Sequence, residues 1–84
     1  MSISPPPGGF APPVKRSITI AGHQTSISLE PVFWEALEAA AVEEALPLNA
    51  LIARIDVERL DSVPPPNLTS AIRQWILVRA LGDR

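Results

Sequence analysis

Between Lys15 and Leu29 the chain alternates, KRSITIAGHQTSISL, and the alternation resumes after a break at Gly22 and His23. Period-two patterning marks a half-buried strand, and two such runs about a short Gly-containing break predict a β-hairpin. With Gly22-His23 as the turn, glycine comes first, as a type II′ turn prefers. Ala21 then faces Gln24, Ile20 faces Thr25, Thr19 faces Ser26, Ile18 faces Ile27 and Ser17 faces Ser28. Side chains alternate across a pleated sheet, so this register gathers Ile18, Ile20, Thr25, Ile27 and Leu29 on one face. Ser17, Thr19, Ala21, Gln24, Ser26 and Ser28 line the other. The predicted strands cover residues 16–21 and 24–29, and His23 reads as a solvated turn residue.

After Leu29 the period changes to that of a helix. Phe33, Leu37, Ala40, Ala41 and Glu44 share one stripe, which Trp34 widens. Pro31 suits the first helical position, where its missing N–H costs nothing. This helix is predicted over residues 31–45, with Pro47 as its breaker. Leu48, Leu51, Ile52 and Ile55 mark a second helix over 48–60, with Arg54, Asp56, Glu58 and Arg59 on its outer side. DSVPPPN, residues 61–67, is a stiff connector. Asn67 is placed to cap a third helix over 68–81, whose stripe is Ile72, Trp75 and Ile76. Its WILV run is apolar nearly all round, which calls for burial on more than one side. The candidate core is therefore Ile18, Ile20, Ile27, Leu29, Phe33, Trp34, Leu37, Leu51, Ile52, Ile55, Ile72, Trp75 and Ile76. Residues 1–14, MSISPPPGGFAPPV, are dominated by Pro and Gly and read as a flexible arm, which leaves residues 15–84 as the domain.

Composition narrows the function classes. Eighty-four residues allow one small domain, and a second copy is an economical way to complete its core. The absence of Cys excludes a disulfide framework and thiolate metal ligation, and a single His makes no histidine metal site. No metal and no cofactor are expected. The chain has no glycine-rich phosphate loop and no catalytic triad, so it does not read as an enzyme. It shows neither a secretory signal pattern nor an apolar run of the roughly 18 residues a membrane span needs. A cytoplasmic location without a membrane partner is the resulting expectation. Net charge is −2 and the pI about 5.2, short of the broad basic footprint of most nucleic-acid binders. The charge is unevenly spread, however. Lys15 and Arg16 open the hairpin, no acid precedes Glu30, and Glu30, Glu35, Glu38, Glu43 and Glu44 crowd the first helix.

The order strand, helix, short turn, helix in TSISLEPVFWEALEAAAVEEALPLNALIARID resembles the ribbon-helix-helix fold of Arc and the methionine repressor. KRSITIAGHQTSISLEPVFWEAL followed by LNALIARID is similar to a small family of bacterial ribbon-helix-helix domain proteins with an added hairpin strand. The resemblance covers residues 15–81. It implies an α+β, mostly α fold: a ribbon-helix-helix domain with an N-terminal β-hairpin and an extra C-terminal helix, as an intertwined homodimer. In that fold two protomers pair strands antiparallel and share one core. The partners implied are a second copy and double-stranded DNA, and the function implied is transcriptional regulation, since such ribbons read DNA grooves. The resemblance places Gln24, Ser26 and Ser28 at the base-contacting positions, the same residues that the register turns outward. Gln pairs with adenine and Ser with several base edges. Lys15, Arg16 and Thr19 are expected to position the DNA backbone. Asn49 matches the phosphate-binding start of the second helix, while Pro47 stands where a capping Ser or Thr is common. Two hairpins pairing edge to edge would also make a sheet broader than the two-stranded ribbon a major groove admits. The alternative is a protein–protein interaction or scaffold module on the same dimer, without DNA. Its contacts would come from the acidic helices, the proline arm and the third helix.

Overall fold

A computed structural model describes residues 2–82; Met1, Asp83 and Arg84 lie outside the described residues. The elements follow in the order β1 (Val14–Ile20), β2 (His23–Leu29), α1 (Pro31–Glu43), α2 (Leu48–Leu60) and α3 (Leu68–Gly82). The two strands form one antiparallel sheet. One of its faces packs on the helices, α2 against β1 and α3 against β2.

The turn sits one residue earlier than the alternation suggested. Ile20 pairs with His23, so Ala21 and Gly22 are the central residues, both with positive φ (50° and 82°). Positive φ at both positions defines a type I′ turn, whose twist matches that of the flanking strands. Placing glycine second satisfies one of those positions without strain, and Ala21 accepts the other. The register therefore shifts by two: Ile18 faces Thr25, Ser17 faces Ser26, Arg16 faces Ile27 and Val14 faces Leu29. A shift of two keeps every side chain on its face. It also extends β1 back to Val14, two residues before the expected start.

Ahead of the sheet the arm forms no strand or helix among the described residues. It contains a turn in which the Gly9 N–H donates to the Pro6 carbonyl at 2.8 Å. Pro7 and Gly8 are the central pair, and Gly8 has φ 81°, the positive value that the third position of a type II turn requires.

The extended Glu30 leads into Pro31 at the helix start, without a side-chain cap. The helix ends at Glu43, ahead of Pro47, because Ala45 turns left-handed at φ 54°. The Ala45 N–H donates to the Val42 carbonyl and the Leu46 N–H to the Ala41 carbonyl. That pair of bonds is a Schellman motif, which satisfies carbonyls the helix end would orphan. Pro47 then begins the next element instead of ending this one. Asn67 caps α3, its Oδ1 accepting from the Ser70 N–H at 2.8 Å.

The core lies between the inner sheet face and the three helices. Ile18, Ile27, Leu29, Trp34, Leu37, Ala40, Ala41, Leu51, Ile52, Ile55 and Ile72 are buried. Ile20, Phe33, Trp75 and Ile76 pack partly buried against them. Ile27, Leu29, Leu37, Ile52 and Ile72 are essentially inaccessible within a single chain. The resemblance led to the expectation of a core shared between protomers; one chain already encloses these side chains.

Candidate nucleic-acid interface

The outward face of the hairpin is built by the pleat. Lys15, Ser17 and Thr19 of β1 and Gln24 and Ser26 of β2 are exposed, and Ser28 is half-buried. The register sets them opposite one another as three cross-strand pairs, Lys15–Ser28, Ser17–Ser26 and Thr19–Gln24. The residues flanking a two-residue turn exchange backbone hydrogen bonds, and narrow and wide pairs alternate along an antiparallel ladder. Those three pairs therefore occupy the non-hydrogen-bonded positions, where side chains stand closest, with Cα atoms about 4.5 Å apart. All six side chains carry hydrogen-bonding groups and none is acidic.

Arg16 is not among them. It shares the inner parity of Ile18 and Ile20, and its Nη1 donates to Glu38 Oε1 on α1 at 2.8 Å. Its guanidinium also lies 4.6 Å from the centroid of the Trp34 ring, while the Trp34 indole N–H donates to the Val14 carbonyl at 2.9 Å. Arg16 thus clamps the hairpin to α1. The signal was present in the sequence, since Arg16 stands two residues before Ile18 and must share its face. Ser17 is the converse case: the same alternation turned it outward, but the ribbon-helix-helix alignment assigned no base-contacting position to β1.

Asn49 lies in the helical layer, exposed at the second position of α2. Pro47 is the N-cap and offers no side-chain bond. Its carbonyl accepts from both Ala50 and Leu51 N–H, each at 3.1 Å. Among the described residues no backbone carbonyl takes the N–H groups of Leu48 and Asn49, which stand at the positive end of the helix dipole. The structure therefore brings Lys15, Thr19, Gln24, Ser26 and Ser28 together, and sets Arg16 and Asn49 apart from them.

The distribution of ion pairs gives this face its electrostatic character. Arg73 pairs with Glu30 at 2.8 Å and lies over the Phe33 ring. Arg79 pairs with Glu43 at 2.7 Å and Glu44 at 3.5 Å, and lies over Trp75. Arg59 pairs with Asp56 and donates to the Pro66 carbonyl. The Arg73 hydrogen bond, together with a backbone bond at Glu30 itself, holds the Glu30 carboxyl below the usual carboxylate range against a small opposing effect of burial. The pair stays charged at neutral pH and its contribution is lost as pH falls through that depressed value. Much of the acidic charge on α1 is thus committed to arginines of the same chain, and was not legible as such from a run of glutamates. Among the described residues Lys15 and Arg54 are the cations without an ion pair, and only Lys15 is on the strand face. No group of metal-ligating side chains occurs among the described residues, nor is any of their helices long and apolar enough to cross a membrane.

No curated protein and no solved structure matches the chain. The sequence profile of the Ribbon-helix-helix domain matches residues 13–80, from just before β1 to near the end of α3. With that span matched, and strand, helix and helix in the family's order, the chain belongs to the ribbon-helix-helix domain family.

Proposed function

We propose that the protein is a homodimeric, DNA-binding transcriptional regulator that presents the outward face of its hairpin to duplex DNA. Ribbon-helix-helix domains are generally DNA-binding transcription regulators and typically not enzymes. The observation that carries the reading is the composition of that face: exposed hydroxyls, an amide and a lysine without an ion pair among the described residues, with no acid on either strand. Gln24, Ser26 and Ser28 read base edges, Gln24 being suited to adenine N6 and N7. Lys15 and Thr19 meet phosphate or sugar, and the N–H groups of Leu48 and Asn49 donate to a second phosphate at the start of α2. Arg16, held by Glu38 and Trp34, contributes by fixing the hairpin on its base. A second copy of the chain is the proposed protein partner, and the cytoplasm the proposed location.

One lysine per protomer implies a weak electrostatic component. Binding should be detectable by fluorescence anisotropy with labelled duplex at low salt and fall as salt rises. Lys15→Ala should reduce the slope of log K against log salt by about 0.9 per protomer. Absence of binding to a randomised duplex pool at low salt would remove the proposal. A second reading, a protein-interaction module, draws on Leu77, Val78 and Leu81, which stand 57%, 68% and 45% exposed along one side of α3. It would show as DNA-independent partner capture that is lost with Leu77→Asp and retained with Gln24→Ala.

A further inference from the structure

The structure assigns the exposed side of the last turns of α3, together with the trough between α1 and α3, as a docking face for a basic amphipathic helix of another protein. This rests on the protein-interaction reading and names the partner's chemistry. It uses none of the residues assigned to DNA.

Three observations support it. The first is a change of character along α3. In its first half the helix is amphipathic: Ile72 is fully buried, Leu68 and Ala71 pack beside it, and exposed Gln74 donates to the Ser70 hydroxyl. In its second half both sides are apolar. Trp75 and Ile76 pack on the core, whereas Leu77, Val78 and Leu81 are exposed. Leu77 and Val78 lie four and three residues before Leu81, so the three are surface neighbours and form one patch. A helix apolar on both sides calls for a second cover, and no element among the described residues supplies it.

The second is shape. Beside the patch, α1 and α3 border an open trough of about 200 Å³, lined among others by Ala36, Ala39, Trp75, Ile76 and Ala80. Ala80 adjoins both Ile76 and Leu77 at helical spacing, so trough and patch are continuous. An apolar groove between helices suits a partner helix that lays anchors at i, i+4 and i+7 into it.

The third is charge. Glu43, on the same trough, shares Arg79 with Glu44. Glu35 adjoins Ala39 at i, i+4 and has no ion pair among the described residues. The α1 rim thus carries more acid than the α3 arginines meet. Lysines or arginines flanking a partner's apolar stripe complement it, and a polyanion does not. A second copy docking by this same face would set acid against acid, because an isologous contact brings each rim onto itself. Arg73 and Arg79 are already committed to glutamates of their own chain.

The test is fluorescence anisotropy at low salt with two labelled helical peptides, one a leucine stripe flanked by lysines, the other the same stripe flanked by glutamates. Each is titrated with the full chain and with Leu77→Gln, Leu81→Gln and Glu35→Gln, all confirmed folded by circular dichroism. The leucine substitutions remove apolar surface at constant charge and nearly constant helix propensity. The lysine peptide should bind about tenfold or more tighter than the glutamate peptide. Leu77→Gln and Leu81→Gln should each weaken it by about tenfold, the low end for a leucine no longer buried, and Glu35→Gln by about threefold. Lysine-peptide binding indifferent to both leucine substitutions would overturn the inference, while the chain would remain a binder of basic peptides elsewhere. Equal affinity for the two peptides, still dependent on Leu77, would keep the docking face and overturn the basic partner. Binding of neither peptide would overturn both the partner and the α3 face. A mass that grows with concentration in sedimentation velocity, and no longer does so in Leu77→Gln, would overturn the inference by giving the face to a second copy.

Discussion

Lys15 and Arg16 are neighbours on one strand, carry the same charge, and end on opposite sides of the sheet. Lys15 projects from the outward face without an ion pair. Arg16 faces the helices, between the Glu38 carboxylate and the Trp34 ring. The same division runs along the whole hairpin. The outward side is Ser, Thr, Gln and Lys in solvent, and the inward side is Ile18, Ile27 and Leu29 in the core. The comparison shows why net charge is a poor guide to the charge of any one face. What bears on a polyanionic partner is the charge left unneutralised on one face, and internal arginines take up much of the acid that lowers the pI. One pleat separates a residue available to a ligand from one that holds the fold together.

The sharpest way to break this comparison is to truncate adjacent residues on the two faces of β2. Ile27→Ala removes a side chain that is 2% exposed, and is expected to cost about 2–5 kcal/mol in urea unfolding. Ser26→Ala, one residue away, should stay within about 0.5 kcal/mol of the unaltered chain. Similar losses at both would mean that the outer face is as structural as the inner one. A smaller effect separates the two cations. Arg16→Ala forfeits a half-exposed ion pair and an aromatic contact, together worth about 1 kcal/mol in the same measurement. It should leave the salt slope of duplex binding unchanged, whereas Lys15→Ala should do the reverse. An Arg16 variant of full stability with a shallower slope would exchange their roles. Smallest of all is the turn. Ala21 occupies a left-handed position that Asn tolerates better, so Ala21→Asn should raise stability by a few tenths to about 1 kcal/mol in thermal unfolding. A loss instead would argue against the Ala21-Gly22 turn on which the cross-strand pairs depend.

Much of the architecture was legible in the residues. Alternation about Gly22 placed Ile18, Ile27 and Leu29 inward, helical spacing found the stripes of α1 and α2, and Asn67 announced the start of α3. The turn was misplaced because glycine satisfies either central position, and the preference for glycine first outweighed an alanine with positive φ. The expectation that Arg16 meets the DNA backbone did not draw on its parity with Ile18. Its actual partner, Glu38, lies 22 residues further along the chain, beyond the reach of any local pattern. The end of α1 was credited to Pro47, whereas left-handed Ala45 and its backbone bonds close the helix first.

What the sequence by itself determined is the partition of side chains between two faces, and with it the family. Period two is unchanged by a register shift of two, so the partition survived the error in the turn. What only the tertiary structure decided is which residues of that outer face stand opposite one another, and which charges remain unneutralised. Cross-strand pairing depends on the turn conformation, and neutralisation depends on carboxylates brought in from other helices. Neutralisation is a property of the packed chain in space, and the residues of the turn left two placements of its centre open until the fold chose between them.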